Sequence, residues 1–314
     1  MTPMATIDDN LRRGASSLRN LSDSPRLDAE LLLGCVLGLS RAGLIARGDD
    51  SVAAEREQAY ADLIHRRLQG APVAYLTGTR EFWSLPLTVT PAVLVPRPET
   101  ELLVELALAC LPARPARAVA DQVRSAGPTT AAEQTPSADR AGSTRSAGSV
   151  LDLGTGSGAI ALAIASERPG WRVTGVDISP AALQVAIKNS LDLGLTHIEW
   201  RQGSWFEAVP GEKFDVIVAN PPYVAAADPA LLALRAEPAL ALSAGPDGLD
   251  ALSHIARAAA PHLNDGGWLL LEHGSSQAPD VARLLESHGF TGVRSHLDFS
   301  GKPRVTQGTV HSQH

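Results

Sequence analysis

The chain has 314 residues, 44% of them hydrophobic, a net charge of −7 and two cysteines, Cys35 and Cys110. That length predicts one large domain with a smaller companion. The acidic balance excludes a chain-wide basic surface for nucleic acid, and the cysteines offer neither a CxxC motif nor a disulfide framework.

No apolar run reaches membrane-spanning length, and residues 1–10 are polar and acidic without a leader-like apolar region. The reading is a cytoplasmic protein with buried, inert thiols. Residues 1–78 read as a small helical domain. Leu27, Leu31, Leu32, Leu33, Val36 and Leu37 recur at helical spacing behind a Ser24-Pro25 cap, and a second helix is predicted over 53–69. Residues 79–98 read as a β-hairpin connector, prefaced by Tyr75-Leu76-Thr77-Gly78, with Ser84-Leu85-Pro86 near its turn. In Pro96-Arg97-Pro98-Glu99-Thr100-Glu101, Thr100 is the expected N-cap of a helix carrying Leu102, Leu103, Leu106 and Leu108. Arg97 and Glu99 read there as an exposed ion pair at a domain junction.

Residues 112–149 are a low-complexity run of Ala, Arg, Ser, Thr, Gly and Pro. Such a segment cannot bury enough surface to offset the entropy of ordering, so it reads as a disordered insertion. Beyond it, strands are predicted at 150–153, 172–177, 198–202, 214–219 and 268–272, and helices at 159–167, 180–193, 249–261 and 277–288. This alternation predicts a doubly wound, mostly parallel α/β sheet within a domain spanning 99–314. Residues 293–298 and 304–310 close the chain as an antiparallel hairpin.

Two strand ends carry the chemistry. The strand at 214–219 runs straight into Asn220-Pro221-Pro222-Tyr223. Each X-Pro bond holds the preceding residue extended, and neither proline has an N–H to engage nearby carbonyls. The result is a stiff corner presenting an amide, open carbonyls and a ring, although the same residues also serve simply to break a loop. The first strand of the alternation leads into Gly154-Thr155-Gly156-Ser157-Gly158, and Asp177 ends the next strand about twenty residues on, where a ribose hydroxyl would be bound. The pair points to a nucleoside-containing cofactor, and GxGxG spacing points away from a dinucleotide. Asp152 either steadies the loop or faces a cofactor amine. Trp205 is either core or an adenine flank, whereas Phe206 reads as core. The nine histidines show no metal-ligand spacing, and His254 and His273 read as structural or solvent-facing.

Together the glycine loop, Val176-Asp177-Ile178-Ser179 and the Asn-Pro-Pro-Tyr corner resemble class I S-adenosylmethionine-dependent methyltransferases acting on planar nitrogen. Further stretches narrow the resemblance: 72–78, 96–101, Glu237-Pro238-Ala239-Leu240, 245–250 and 298–305. Over nearly the whole chain except 112–149, they resemble the PrmC/HemK family of peptide chain release factor glutamine N5-methyltransferases. The resemblance implies a Rossmann-like methyltransferase sheet, S-adenosylmethionine without a metal, and methylation of N5 in the glutamine of the Gly-Gly-Gln motif. It implies that Gly154, Thr155, Gly156, Ser157 and Gly158 line the cofactor pocket, with Asn220 at its border. By the same resemblance Asp177 holds the ribose, Trp205 flanks the adenine, and Asn220, Pro221, Pro222 and Tyr223 clamp the target glutamine. The implied partner is the release factor, held with help from the helical domain; the reading is a monomer with no direct nucleic-acid substrate and no membrane. Ser204, where the family commonly has an acid, His273, where it commonly has an apolar residue, and the insertion depart from the pattern.

An amide nitrogen is a poor nucleophile because its lone pair is delocalised. Acceptors on its two N–H groups, the Asn220 side-chain oxygen and the Pro221 carbonyl, would shift density to nitrogen and fix its aim, with Tyr223 against the amide plane. Three other readings compete. A ribosomal-protein glutamine methyltransferase shares the corner but departs from the Pro-Arg-Pro-Glu-Thr-Glu wording. A DNA adenine methyltransferase needs base flipping and a basic recognition region, which the acidic balance does not supply. A non-catalytic nucleotide-binding module leaves the corner beside a cofactor loop unexplained.

Overall fold

The computed structural model describes residues 5–111 and 148–311; residues 112–147 of the expected insertion lie outside them. Five helices come first: α1 (Ile7–Leu18), α2 (Pro25–Leu37), α3 (Arg41–Ala46), α4 (Ala54–Leu68) and α5 (Val73–Thr77). They share their own core of Leu11, Leu18, Leu32, Leu33, Leu44, Tyr60 and Ile64. Helix α1 starts in the stretch read only as polar, because Thr6 and Asp9 form a reciprocal capping box there. In α2 the inner face is Asp28, Ala29, Leu32 and Leu33, which leaves Leu27, Leu31 and Cys35 outside. The expectation of two buried thiols therefore fails at Cys35. Cys110 is half-buried, and burial pushes its thiol up to about 11. Pro25 does open α2, but the Ser24 side chain makes no capping bond.

The connector hairpin is β1 (Thr79–Phe82) with β2 (Leu85–Thr88). Its turn is Trp83-Ser84, both left-handed at φ 53° and 59°, so Ser84-Leu85-Pro86 lies at the turn as expected, with Leu85 and Pro86 already in β2. Two left-handed residues match the right-handed twist of the flanking strands. Pro86 is tolerated inside β2 because that strand pairs only with β1. Tyr75 to Thr77 belong to α5 and not to the hairpin. Helix α6 (Glu101–Cys110) follows a short 3-10 turn, and Thr100 holds its N-cap position as expected, although in helical backbone and without a side-chain capping bond. Its hydroxyl is used elsewhere.

The main sheet comprises β3 (Ser149–Leu153), β4 (Arg172–Asp177), β5 (Glu199–Gln202), β6 (Phe214–Ala219), β7 (Leu263–Glu272), β8 (Thr291–Leu297) and β9 (Pro303–Thr309). Ser149, read as the end of the insertion, is the first residue of β3. Strand order is β5-β4-β3-β6-β7-β9-β8. The first five strands run parallel, and β9 inserts antiparallel between β7 and β8. The helices between them are α7 (Ala159–Glu167), α8 (Pro180–Asp192), α9 (Ala230–Ala233), α10 (Asp250–Ala259) and α11 (Ala278–Ser287). This is the expected doubly wound α/β sheet with a terminal antiparallel hairpin and an N-terminal helical region.

Period-two alternation divides the strand residues between two cores. Val150, Val216, Val218 and Leu270 pack with α6 and α7. Leu151, Leu153, Ile217, Ala219, Leu269 and Leu271 pack with α10 and α11 on the opposite face. Burying each Leu or Val contributes about 1.5–3 kcal/mol, so the central strands are held on both sides. At their starting ends the Asp215 carboxylate accepts from Ser149 N (2.7 Å) and Asn264 Nδ2 (2.8 Å), tying β3, β6 and β7 together. The chain winds outward from β3 through β4 to β5, then returns to β6 on the other side. The β3/β6 junction is thus a topological switch point, where a crevice opens beyond the carboxyl ends of the strands.

Candidate active site

After β3 the backbone turns through Gly154 and Gly156 at φ 71° and 57°, a region that disfavours side chains. The amides of Gly154 and Thr155 donate to the Val176 carbonyl at 2.8 and 2.9 Å, and Gly158 N donates to the Thr155 carbonyl at 2.8 Å. Gly156 N donates to Asp177 Oδ2 at 2.8 Å. These amides are spent inside the protein, so the loop is no phosphate cradle, in which such groups point at the ligand. It suits a nucleoside that carries no phosphate. Asp152 is buried beneath the loop, where Oδ2 accepts from Thr155 Oγ1 (2.6 Å) and Ala161 N (3.2 Å). Of its two readings the structure selects loop support. Burial pushes this carboxyl up to about 7 against those hydrogen bonds.

Asp177 ends β4 with Oδ1 accepting from Ser179 N at 2.9 Å. Burial raises its pKa, opposed by the amide hydrogen bonds of Ser179, Gly156 and Ile178. Three amide donors leave this carboxylate one of its about four acceptor positions for a further donor such as a ribose hydroxyl.

A cavity of about 660 Å³ occupies the switch point. Its wall includes Gly154, Thr155, Gly156, Ser157, Asp177, Ser204, Trp205, Asn220 and Pro222. Gly158, Pro221 and Tyr223 lie outside that wall. Gly158 caps α7 at φ 82°, where an added Cβ would come within 2.9 Å of the Trp200 ring. Trp205 is half-buried at φ 49°, and a methyl at Gly154 would lie 3.5 Å from its ring. Phe206 is core as expected, stacked on His262 at 4.6 Å.

At the end of β6, Asn220 Nδ2 donates to Thr100 Oγ1 at 3.2 Å. The amide nitrogen is thereby committed to the protein, and Oδ1 is left as the open acceptor. Tyr223 turns its hydroxyl to Glu272 Oε1 at 3.3 Å. Burial and the Glu272 carboxyl raise the Tyr223 pKa, which keeps the hydroxyl a neutral donor. Gln277 Nε2 holds the Tyr223 carbonyl at 3.1 Å, and Gly248 lies so close beneath that an added Cβ would sit 2.2 Å from this oxygen.

Several residues of the site escaped the sequence reading. Thr100 and Glu272 are buried, and Thr100 lines the cavity beside Asn220. Glu237, also buried, accepts from Val95 N at 3.1 Å and pairs with Arg97. Arg97, which lines the cavity, therefore pairs with Glu237 and not with Glu99 as expected. Asn189 on α8 receives Thr88 N (2.7 Å) and donates to the Ser157 carbonyl (2.9 Å), so the connector grips the glycine loop. His273 is buried between the Gly274 carbonyl and Thr306 Oγ1, and burial lowers its pKa, which makes it structural; His254 faces solvent. Among the described residues no cluster of His, Cys, Asp and Glu is arranged to hold a metal, and no helix is long and apolar enough to cross a membrane.

Known proteins match this architecture at both ends. The PrmC N-terminal domain family matches residues 9–78, and a methyltransferase domain family matches residues 144–278. The catalytic domain of hMettl16, solved in complex with an RNA hairpin, aligns with a TM-score of 0.51 at 13% identity. That alignment covers 74% of this chain and 77% of the other, and it is a likeness of fold. The protein is thus a methyltransferase on a doubly wound α/β sheet. A release factor glutamine methyltransferase of Salmonella typhimurium is 44% identical over 300 residues, covering 95% of this chain and 96% of the relative. One from Xylella fastidiosa is 45% identical over 285 residues, covering 90% and 92%. The chain belongs to the release factor glutamine methyltransferase family.

Proposed function

We propose that this enzyme uses S-adenosylmethionine to methylate the side-chain amide nitrogen, N5, of the glutamine in the Gly-Gly-Gln motif of peptide chain release factors. The observation that carries the reading is the committed amide of Asn220, whose nitrogen is held by Thr100 while its oxygen stays open at the cavity wall. Family membership supports the release factor as substrate.

The cavity supports the cofactor assignment on three counts. It has the volume for a nucleoside, its glycine loop has no free amide cradle for phosphates, and Asp177 keeps a spare lone pair for a ribose hydroxyl. Gly154, Thr155, Gly156 and Ser157 form the wall against the cofactor, Gly158 holds the loop to α7, and the Trp205 ring flanks the adenine. Bound S-adenosylmethionine supplies an electrophilic methyl group on a sulfonium centre.

The chain's own residues prepare the nucleophile. Asn220 Oδ1 and the Pro221 carbonyl accept from the two N–H groups of the glutamine amide, drawing density onto its nitrogen. Pro222 stiffens the corner, and Tyr223, fixed at both its hydroxyl and its carbonyl, backs the amide plane. Holding nitrogen in line with the methyl group contributes on the order of 7–11 kcal/mol through effective molarity. A dedicated base is unnecessary, because an N-methylated amide cation is acidic enough to lose its proton to water.

The test is incubation with methyl-labelled S-adenosylmethionine and three acceptors: release factor, its Gly-Gly-Gln variant with glutamine replaced by alanine, and DNA. Label is expected on the unaltered release factor alone. Label on DNA or on the variant loop overturns the assignment.

A further inference from the structure

We infer that Thr100 and Glu272 are positioning residues that decide which end of the Asn220 amide faces the substrate. The inference rests on the glutamine-methylation reading above. A primary amide has two ends of nearly equal shape and opposite polarity, so packing alone cannot orient it. Only a neighbour of defined hydrogen-bond polarity can.

Thr100 is that neighbour. It is 3% exposed, and its oxygen accepts from Asn220 Nδ2 at 3.2 Å. A hydroxyl has one proton. When that proton is turned toward an ionised Glu272, only lone pairs remain for Asn220, which must then present its N–H end and leave Oδ1 outward. Glu272 is 1% exposed at the end of β7. Tyr223 bonds its Oε1, Oε2 has no hydrogen-bond partner, and the Thr100 hydroxyl acts on the same carboxyl to lower its pKa. Arg304 and Glu99 are the charged groups that act on it.

Protonated Glu272 has the opposite effect. It can donate to Thr100, freeing the hydroxyl proton to point at Asn220. The amide then turns its NH₂ outward, where it opposes the N–H groups of the substrate. Burial, outweighing the hydrogen bonds from Thr100 and Tyr223, pushes the Glu272 carboxyl up to about 7, so this reversal falls within an accessible pH range.

Two variants test the inference alongside wild type. Thr100→Val keeps the shape and removes the hydroxyl; kcat is expected to fall at least about tenfold. S-adenosylmethionine affinity, read by calorimetry, should stay within about twofold, and Thr100→Ser should recover most of the turnover. Glu272→Gln keeps an acceptor for Thr100 but cannot titrate, so the acidic limb of the kcat–pH profile should disappear. Turnover near wild type in Thr100→Val overturns the positioning role, and so does an unchanged acidic limb in Glu272→Gln. A parallel loss of cofactor affinity in Thr100→Val also overturns it, by making Thr100 a wall residue only. In each of those cases wild-type methylation of the release factor leaves the functional reading standing; its absence in wild type removes both.

Discussion

Replacing Asn220 with alanine separates the chemistry of this site from its architecture. The substitution deletes the open acceptor Oδ1 together with the Nδ2 bond to Thr100. Hydrogen-bonding groups aimed at the reacting centre are worth about 10²–10³ in kcat, or about 2.7–4 kcal/mol, when one is removed. A loss of about a hundredfold or more in kcat is therefore expected. The structural cost is smaller. The lost bond is one neutral hydrogen bond, worth about 1 kcal/mol, and the Thr100 hydroxyl keeps Glu272 as an alternative partner. Cofactor affinity should hold within a few-fold, because Asn220 is one of many residues around the cavity while the glycine loop and Asp177 are untouched. Single-turnover kinetics with saturating release factor measure the first quantity, and calorimetric titration with S-adenosylmethionine measures the second. A fall in kcat without a matching rise in KM marks an interaction made in the transition state. Turnover within a few-fold of wild type would refute the acceptor clamp, whatever happened to binding.

Three further perturbations address the scaffold. Asp177→Ala removes the acceptor for Gly156 N and Ser179 N along with the ribose contact proposed for it, and the Kd for S-adenosylmethionine should rise about 30-fold or more; an unchanged Kd contradicts that role. Ser84→Gly relieves a left-handed residue at φ 59° in the connector turn, so the urea midpoint should rise by the equivalent of about 0.5–1 kcal/mol, and a fall would show that no strain is held there. Asp152 has its folded pKa raised by burial from 3.8 to about 7, so its contribution favours the fold below about pH 4 and is lost as pH climbs to 7. Asp152→Asn cannot ionise, and its Tm should gain on wild type between pH 5 and pH 8; identical Tm–pH curves for the two proteins would remove this residue from the linkage.

The sheet was legible because its signals are local. Residues 172–177 and 214–219 are short valine- and isoleucine-rich runs bounded by turn residues, and they appear in the structure with those bounds. The helix at 159–167 likewise begins where the glycine loop stops. Differences arose where two local rules competed. Thr100 has the residue type of an N-cap, but a 3-10 turn already leads into α6 and leaves the hydroxyl free for Asn220. Pro86, expected near the turn, already belongs to β2, because two left-handed residues at 83 and 84 complete the turn before it. Cys35 shared a leucine-rich helix, and only the packing of α1 and α4 on α2 decides which side is inside.

The supporting residues of the site have no local signal at all. Asn220 and Thr100 lie 120 positions apart, and Glu237 reaches Arg97 across 140. No periodicity within either segment announces such a pair. What brings them together is the winding order of the sheet: β6 lies beside β3, so Asn220 and the glycine loop share one crevice, and α6 packs over β6 and β7 so that Thr100, just before it, lies between Asn220 and Glu272. The same logic explains why separate stretches at 96–101 and at Glu237 carried the family resemblance. Each supplies half of a contact, Arg97 with Glu237 and Thr100 with Asn220. An amide nitrogen needs neither an activated side chain nor a metal to be aimed. It needs acceptors that cannot turn away, which is the role we propose for the buried polar partners of Asn220 and Tyr223.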